Sequence, residues 1–162
     1  LVSSPVSEIT SGSFNPLLLD GDYASEALAL CSGKVHYDLV KARADSSDAD
    51  TLATMRVEQL YPFPIAQYAE MLGQYEHVEE IIWCQEEPLN QGAWYQIKHR
   101  LQEPLKAHQQ LYYAGRPGAA APASGIFKIH LQQQQALVEA ALDIKSEASK
   151  VTKPEKTKRK TK

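Results

Sequence analysis

Short apolar runs alternate with amphipathic stretches four times along this chain, and the alternation restricts the fold more than any other feature. Four apolar runs predict strands, at residues 24–31, 52–57, 80–85 and 110–114. Four amphipathic stretches predict helices, at residues 34–44, 65–75, 91–101 and 126–144. Because short loops join them, the sequence predicts an α/β domain, a three-layer sandwich with a mostly parallel sheet covered by helices on both faces.

The predicted domain has a flanking segment on each side. A chain of 162 residues suits one domain, which we place at residues 25–144. Residues 1–24 are rich in Ser, Gly, Pro and Asp and predict an extended lead-in, with residues 14–19 lying against a neighbour. Residues 145–162 contain eight Lys or Arg and two Glu, and predict a disordered basic tail. The tail is either a solvated end or a weak electrostatic contact, and nucleic acid is disfavoured because no aromatic residue interleaves with the lysines.

Composition excludes several classes of protein. No apolar stretch approaches the ~20 residues that span a bilayer, so we expect no membrane protein. The chain starts without Met and shows no signal peptide, which suggests a piece of something longer. Cys31 and Cys84 end apolar runs and predict buried thiols in a reducing compartment. A redox pair is the alternative, but no motif supports it.

A search for catalytic motifs finds none. Leu28 stands where a phosphate loop ending in SGK needs glycine, and the GxGxxG, GxSxG and HExxH patterns are absent. Glu86 and Glu87 end the third predicted strand, where adjacent side chains point to opposite sides, so they do not form a ready acid–base pair. We expect them to cap the helix that begins near Asn90 or to serve an interface. The sequence thus predicts no catalytic, metal-binding or cofactor-binding residue in this chain.

Four segments carry a family resemblance. They are CSGKVHYDL at 31–39, RVEQLYPFP at 56–64, WCQEEPLNQGAW at 83–94 and YAGRPGAAAPASG at 113–125. In this order they resemble segments of the decarboxylating component of 2-oxoglutarate dehydrogenase, which depends on thiamine diphosphate. The third segment, with two tryptophans in twelve residues, is the most specific. The resemblance covers about residues 4–144 and points to the C-terminal domain of that family, which is of the transketolase C-terminal type.

The resemblance implies an oxidoreductase of the tricarboxylic acid cycle when the whole protein is present. It implies a homodimer that binds thiamine diphosphate and magnesium outside this segment and succinylates the lipoyl group of dihydrolipoyl succinyltransferase. This chain would then support the dimer and the active site without itself being catalytic, in the bacterial cytoplasm or the mitochondrial matrix. A related 2-oxoadipate dehydrogenase and a free-standing regulatory or interaction module remain alternatives.

Three further residues are candidates for interface or structural roles. Trp83 and Trp94 flank a turn, and we expect them to pack at one end of the sheet as interface anchors or as core. Arg116 lies in a loop of small residues just after the fourth predicted strand. Because the carboxyl ends of parallel strands share one edge, we expect Arg116 to pair with Glu86 or Glu87. Solvent exposure, or contact with an anionic ligand or partner subunit, is the alternative.

Overall fold

A computed structural model describes residues 3–46 and 51–142 of the chain. Its five helices are α1 (Val6–Ser11), α2 (Val35–Ala44), α3 (Ile65–Gly73), α4 (Trp94–Gln102) and α5 (Phe127–Leu142). Its five strands are β1 (Leu17–Asp20), β2 (Ala27–Cys31), β3 (Leu52–Val57), β4 (Glu80–Pro88) and β5 (Gln110–Arg116). The four predicted strands and the four predicted helices are all confirmed.

The strands form one sheet in the order β1-β3-β2-β4-β5. Strands β3, β2, β4 and β5 run parallel, and β1 pairs antiparallel with β3 at the edge. Every residue of the central strand β2 is buried, because helices cover a parallel sheet on both sides and its strands can be continuously apolar. The carboxyl ends of the four parallel strands therefore lie along one edge, which positions the candidate site.

An apolar cluster lies on each face of the sheet, where the strands pack against the helices. On one face, alternate strand residues such as Leu28, Leu30 and Trp83 pack in the cluster that includes Tyr68 and Leu72 of α3 and Ile97 and Leu101 of α4. On the other face, Cys31, Ile82, Cys84 and Ala114 pack with α2 and α5 through Val35, Leu39, Leu137, Val138 and Ala141. The predicted three-layer sandwich is confirmed.

The predicted extended lead-in of residues 1–24 is different in the structure. Residues Val6–Ser11 form a short helix with no buried residue. Residues Leu17–Asp20 pair with β3, and Leu17 joins the main core. The lead-in therefore supplies a fifth strand, because a run of leucines next to an open sheet edge gains both burial and backbone hydrogen bonds. The predicted basic tail, residues 145–162, lies outside the described residues.

The two cysteines occupy neighbouring strands in the same register. Cys31 of β2 faces Cys84 of β4, and both are free thiols with no exposed surface. Burial raises the pKa of Cys31 to about 12 and shifts the pKa of Cys84 in the same direction. The prediction of buried thiols is confirmed, and at neutral pH both carry their protons.

Within the described ranges, no helix is both long enough and apolar enough to cross a membrane.

Candidate functional site

A groove of about 960 Å³ lies at the carboxyl edge of the sheet. The groove is lined by residues that follow β2 and β3, by the end of β4 and by one side of α4. Gly33, Tyr61, Phe63, Glu87 and Arg100 are among these residues. Open α/β sheets bind ligands and partners at this edge, because the loops that leave the strands gather there. The segments 56–64 and 83–94 of the sequence both contribute to the groove, so its walls are built from the most distinctive stretches of the chain.

Gln85, at the centre of this edge, holds the turn between β4 and α4. Its Oε1 accepts hydrogen bonds from Trp83 Nε1 (3.0 Å) and from the backbone N of Trp94 (3.1 Å). Its Nε2 donates to the backbone oxygens of Glu87, Pro88 and Gln91 at 3.2, 3.3 and 2.9 Å. One buried amide thus satisfies the start of α4 and fixes the turn that shapes the groove.

Gly92 allows this turn to close over the amide. Its φ is +66°, a backbone conformation that favours glycine. A Cβ at this position would lie 2.9 Å from Gln85 Nε2 and 3.0 Å from the side chain of Glu87. A larger residue would therefore push the turn away from the amide that organises it. Sequence reasoning did not single out Gln85, although an amide between an apolar strand and a glycine-containing turn was a usable signal.

The two tryptophans take different positions at this edge. Trp83 is 1% exposed and belongs to the core, where its indole N–H reaches Gln85. Trp94 begins α4, is half-buried, and lies with its ring centroid 5.1 Å from that of Tyr113. Trp83 bonds Gln85 through its indole N–H and Trp94 bonds it through its backbone N, so both residues lie at one end of the sheet. Because Trp83 has almost no surface left for a partner, the role of interface anchor stays a prediction for Trp94 alone.

Glu86 and Glu87 diverge at the end of β4, as the strand alternation predicts. The carboxylate of Glu86 turns toward α2 and α5, where Lys34 Nζ lies at 2.5 Å and Gln134 Nε2 donates at 2.9 Å. The bond to Glu86 raises the pKa of Lys34. Glu87 is exposed and lines the groove on the other side. The expected glutamate cap is wrong: Ala93 occupies the N-cap of α4 without a side-chain bond, and Gln85 bonds the first turn instead.

Arg116 does not pair with either glutamate, so that expectation is wrong. Among the described residues no ion pair within 4.0 Å includes it, although it is only 5% exposed. Its Nη2 donates to His130 Nδ1 (3.1 Å) and to Gln134 Oε1 (3.0 Å). Gln134 in turn donates from Nε2 to Glu86. The reason is steric: α5 packs over this end of the sheet and inserts the Gln134 amide between guanidinium and carboxylate.

The polar contacts described at this edge of the sheet have a structural role. In the part of the chain that the structure describes, no group of three or more His, Cys, Asp or Glu side chains could hold a metal ion. Two of the polar side chains at the end of β4 are engaged with neighbours: Gln85 with backbone groups, and Glu86 with Lys34 and Gln134. These bonds fix the shape of the edge, so the arrangement positions loops and presents a contoured surface.

Comparison with known proteins identifies the family. The model of the 2-oxoglutarate dehydrogenase C-terminal family matches residues 3–142. The chain belongs to this family. It is 44% identical to the 2-oxoglutarate dehydrogenase E1 component of Cupriavidus necator over 142 residues, which cover 85% of this chain and 15% of that protein. The resemblance drawn from the four sequence segments is confirmed.

Two further family members are matched over a similar share of their length. The E1 component of Azotobacter vinelandii is 42% identical over 148 residues, covering 87% of this chain and 16% of that protein. The E1 component of Haemophilus influenzae is 42% identical over 146 residues, covering 88% and 16%. The chain therefore spans about 15% of the length of these relatives, and the family to which it belongs is a C-terminal one.

Proposed function

We propose that this chain is the C-terminal domain of a 2-oxoglutarate dehydrogenase decarboxylating component and that it supports the dimer and the active site of the full-length enzyme. The whole enzyme decarboxylates 2-oxoglutarate and transfers the succinyl group to the lipoyl group of dihydrolipoyl succinyltransferase, in the bacterial cytoplasm or the mitochondrial matrix. The observation that carries the proposal is the family match along residues 3–142. The names of the relatives favour 2-oxoglutarate over 2-oxoadipate.

The groove supports the structural role. Tyr61, on its rim, is 92% exposed, and the neighbouring Leu60 is also exposed. Large apolar side chains at the rim of a groove, next to polar groups that are already bonded, are typical of a surface that packs against protein. We assign the groove to contact with the rest of the same polypeptide or with the partner subunit.

Thiamine diphosphate and magnesium would supply the carbanion chemistry of the whole enzyme. The described residues do not fit that group. Asp38 and Glu86 are the carboxylates that share the Gln134 amide, and Lys34 neutralises Glu86. No phosphate-binding glycine loop precedes a helix in this chain. We propose that the cofactor binds to the remainder of the polypeptide.

The test uses the full-length enzyme with Tyr61→Ser. Because this ring is almost fully exposed, the substitution leaves the melting temperature of the 162-residue chain unchanged. We expect the dimer dissociation constant of the full-length enzyme, measured by analytical ultracentrifugation, to rise about tenfold or more. The matched control is Tyr23→Ser, because Tyr23 is a partly exposed tyrosine that precedes β2 and thus lies toward the opposite edge of the sheet.

Two results would contradict the proposal. An unchanged dimer constant in Tyr61→Ser would remove the groove from the interface. Decarboxylation of 2-oxoglutarate by the 162-residue chain alone would overturn the division of labour between this domain and the rest. Steady-state kinetics of the full-length enzyme with 2-oxoglutarate and 2-oxoadipate decide the substrate, and a preference for 2-oxoadipate would refute that part of the proposal.

A further inference from the structure

Arg116 is a buried cation whose charge no neighbouring carboxylate neutralises directly. It is 5% exposed, and within residues 3–46 and 51–142 it forms no ion pair. Only its Nη2 is engaged, by His130 and Gln134, and its Nε is enclosed without a hydrogen-bond partner. A buried charge left unpaired is costly, so such a residue points to an anion that completes it.

Arg116 is among the residues that line a cavity of about 310 Å³. Arg116 is the one charged residue among those that line it. The other walls are mostly small or apolar and include Pro88, Pro117, Ala121 and Ala123, with Ser124 and Gly125 at the approach to α5 and the polar Gln133 on the helix itself. The 16-residue helix α5 begins two residues after Gly125, and the positive end of a helix dipole favours an anion at such a place.

The partners of Arg116 set the charge that this cavity can hold. Arginine only donates hydrogen bonds, so His130 Nδ1 accepts the bond from Arg116 Nη2. Gln134 carries no charge, and its Nε2 donates to the carboxylates of Asp38 and Glu86, the second of which pairs with Lys34. Arg116 is thus the one charge in the lining of the cavity itself, which matches a monoanion and leaves a dianion partly uncompensated.

We propose that this cavity binds a carboxylate that carries a short apolar chain, with the carboxylate on Arg116 and the chain against the proline and alanine walls. The volume lies at the lower end of the range for small-molecule pockets, which suits an acid of a few carbons. The same chemistry has two sources: a free monocarboxylic acid, or an acidic side chain from the remainder of the full-length protein.

Titration of the 162-residue chain with sodium butyrate, followed by NMR of backbone amides, tests the proposal. The chain suits this experiment because its own helices cover both faces of the sheet, so it carries a complete core. We expect saturable shifts at Arg116, Ser124 and Gly125, with a dissociation constant of about 1–10 mM. Inorganic phosphate, as the dianion at pH 8, binds more weakly.

Two variants keep the result interpretable. Arg116→Gln removes the charge and weakens butyrate binding about tenfold or more. Ala121→Leu fills the cavity from an exposed position with the guanidinium retained, so it abolishes binding even where Arg116→Gln fails to fold. Arg100→Gln, an exposed arginine in the groove, is the matched control and binds butyrate like the wild type.

The titrations test the proposal and distinguish the two sources of the carboxylate. Absence of saturable shifts, equal shifts in Ala121→Leu, or phosphate binding as tightly as butyrate would each overturn the proposal. Binding by both the 162-residue chain and the full-length protein identifies a free acid as the ligand. Binding by the 162-residue chain alone identifies a carboxylate side chain of the protein itself as the occupant.

Discussion

Replacing Gln85 by Met tests how far one amide organises the edge of this domain. Methionine has a similar length and is apolar, so the volume is kept and the five hydrogen bonds of the amide are lost. Two of the carbonyls keep another donor: Gln91 N bonds Pro88 O, and Tyr113 Oη bonds Glu87 O. The cost therefore falls on Trp83 Nε1, Trp94 N and Gln91 O.

The magnitude follows from these three groups. Trp83 Nε1 is a buried donor, and leaving it unpaired costs about 1–3 kcal/mol. The two part-buried backbone groups add about 1 kcal/mol each. We expect the free energy of unfolding to fall by about 3–5 kcal/mol in Gln85→Met. Urea denaturation followed by far-UV circular dichroism measures it. Gln96→Met, an exposed control on α4, stays within about 0.5 kcal/mol of the wild type.

Gln85→Glu separates hydrogen bonding from shape. The new carboxylate would face the three carbonyl oxygens that Nε2 now bonds, which disfavours its charged form and raises its pKa in the folded state. The folded state then holds the proton more tightly, so the variant loses stability as pH rises above about 4.3, the ordinary value for Glu. A cost below about 1 kcal/mol in Gln85→Met, or a pH-independent Gln85→Glu, would refute this account of the turn.

Two other predictions concern buried titratable groups. Because burial raises the pKa of Cys31 and Cys84, neither thiol reacts with a thiol-specific disulfide reagent at pH 7.5, and both react in urea; rapid labelling of the native chain would contradict this. Burial, with a smaller contribution from Arg56, lowers the pKa of His36 below its ordinary value of 6.5. The unfolded state then takes up a proton that the folded state resists, so stability falls as pH drops through 6.5. His36→Leu reduces that loss between pH 7.5 and 5.0 in urea titrations, and an unchanged loss would exclude His36 as its source.

The elements that the sequence predicted are those whose pattern is local. Strand β2 is apolar at every position, and α3 and α4 each place their two buried residues four positions apart, so burial and periodicity coincide. Strand β1 was missed because its apolar run is only three leucines long. Its conformation is decided by pairing with β3, almost forty residues away in sequence, which no local window contains.

The sequence predicted where in the fold the candidate site lies, but it did not predict which residues contact each other there. The carboxyl edge followed from the parallel strands, and the divergence of Glu86 and Glu87 followed from strand alternation. The partner of Arg116 did not, because it depends on which residue of α5 reaches the end of β5. That residue is Gln134, in a polar run of four glutamines whose members the sequence alone does not distinguish.

The antiparallel strand β1 also has a protective effect. Without it, one side of β3 would present a row of free N–H and C=O groups, which is the template on which a second chain adds a strand. Asp20, in the last position of β1, accepts a hydrogen bond from Arg43 of α2. Strand β1 is therefore bonded to the helical layer as well as to the sheet. The segment ahead of the first predicted strand thus replaces the six-residue edge of β3 with a four-residue edge, which offers a second chain a shorter template on this side of the sheet.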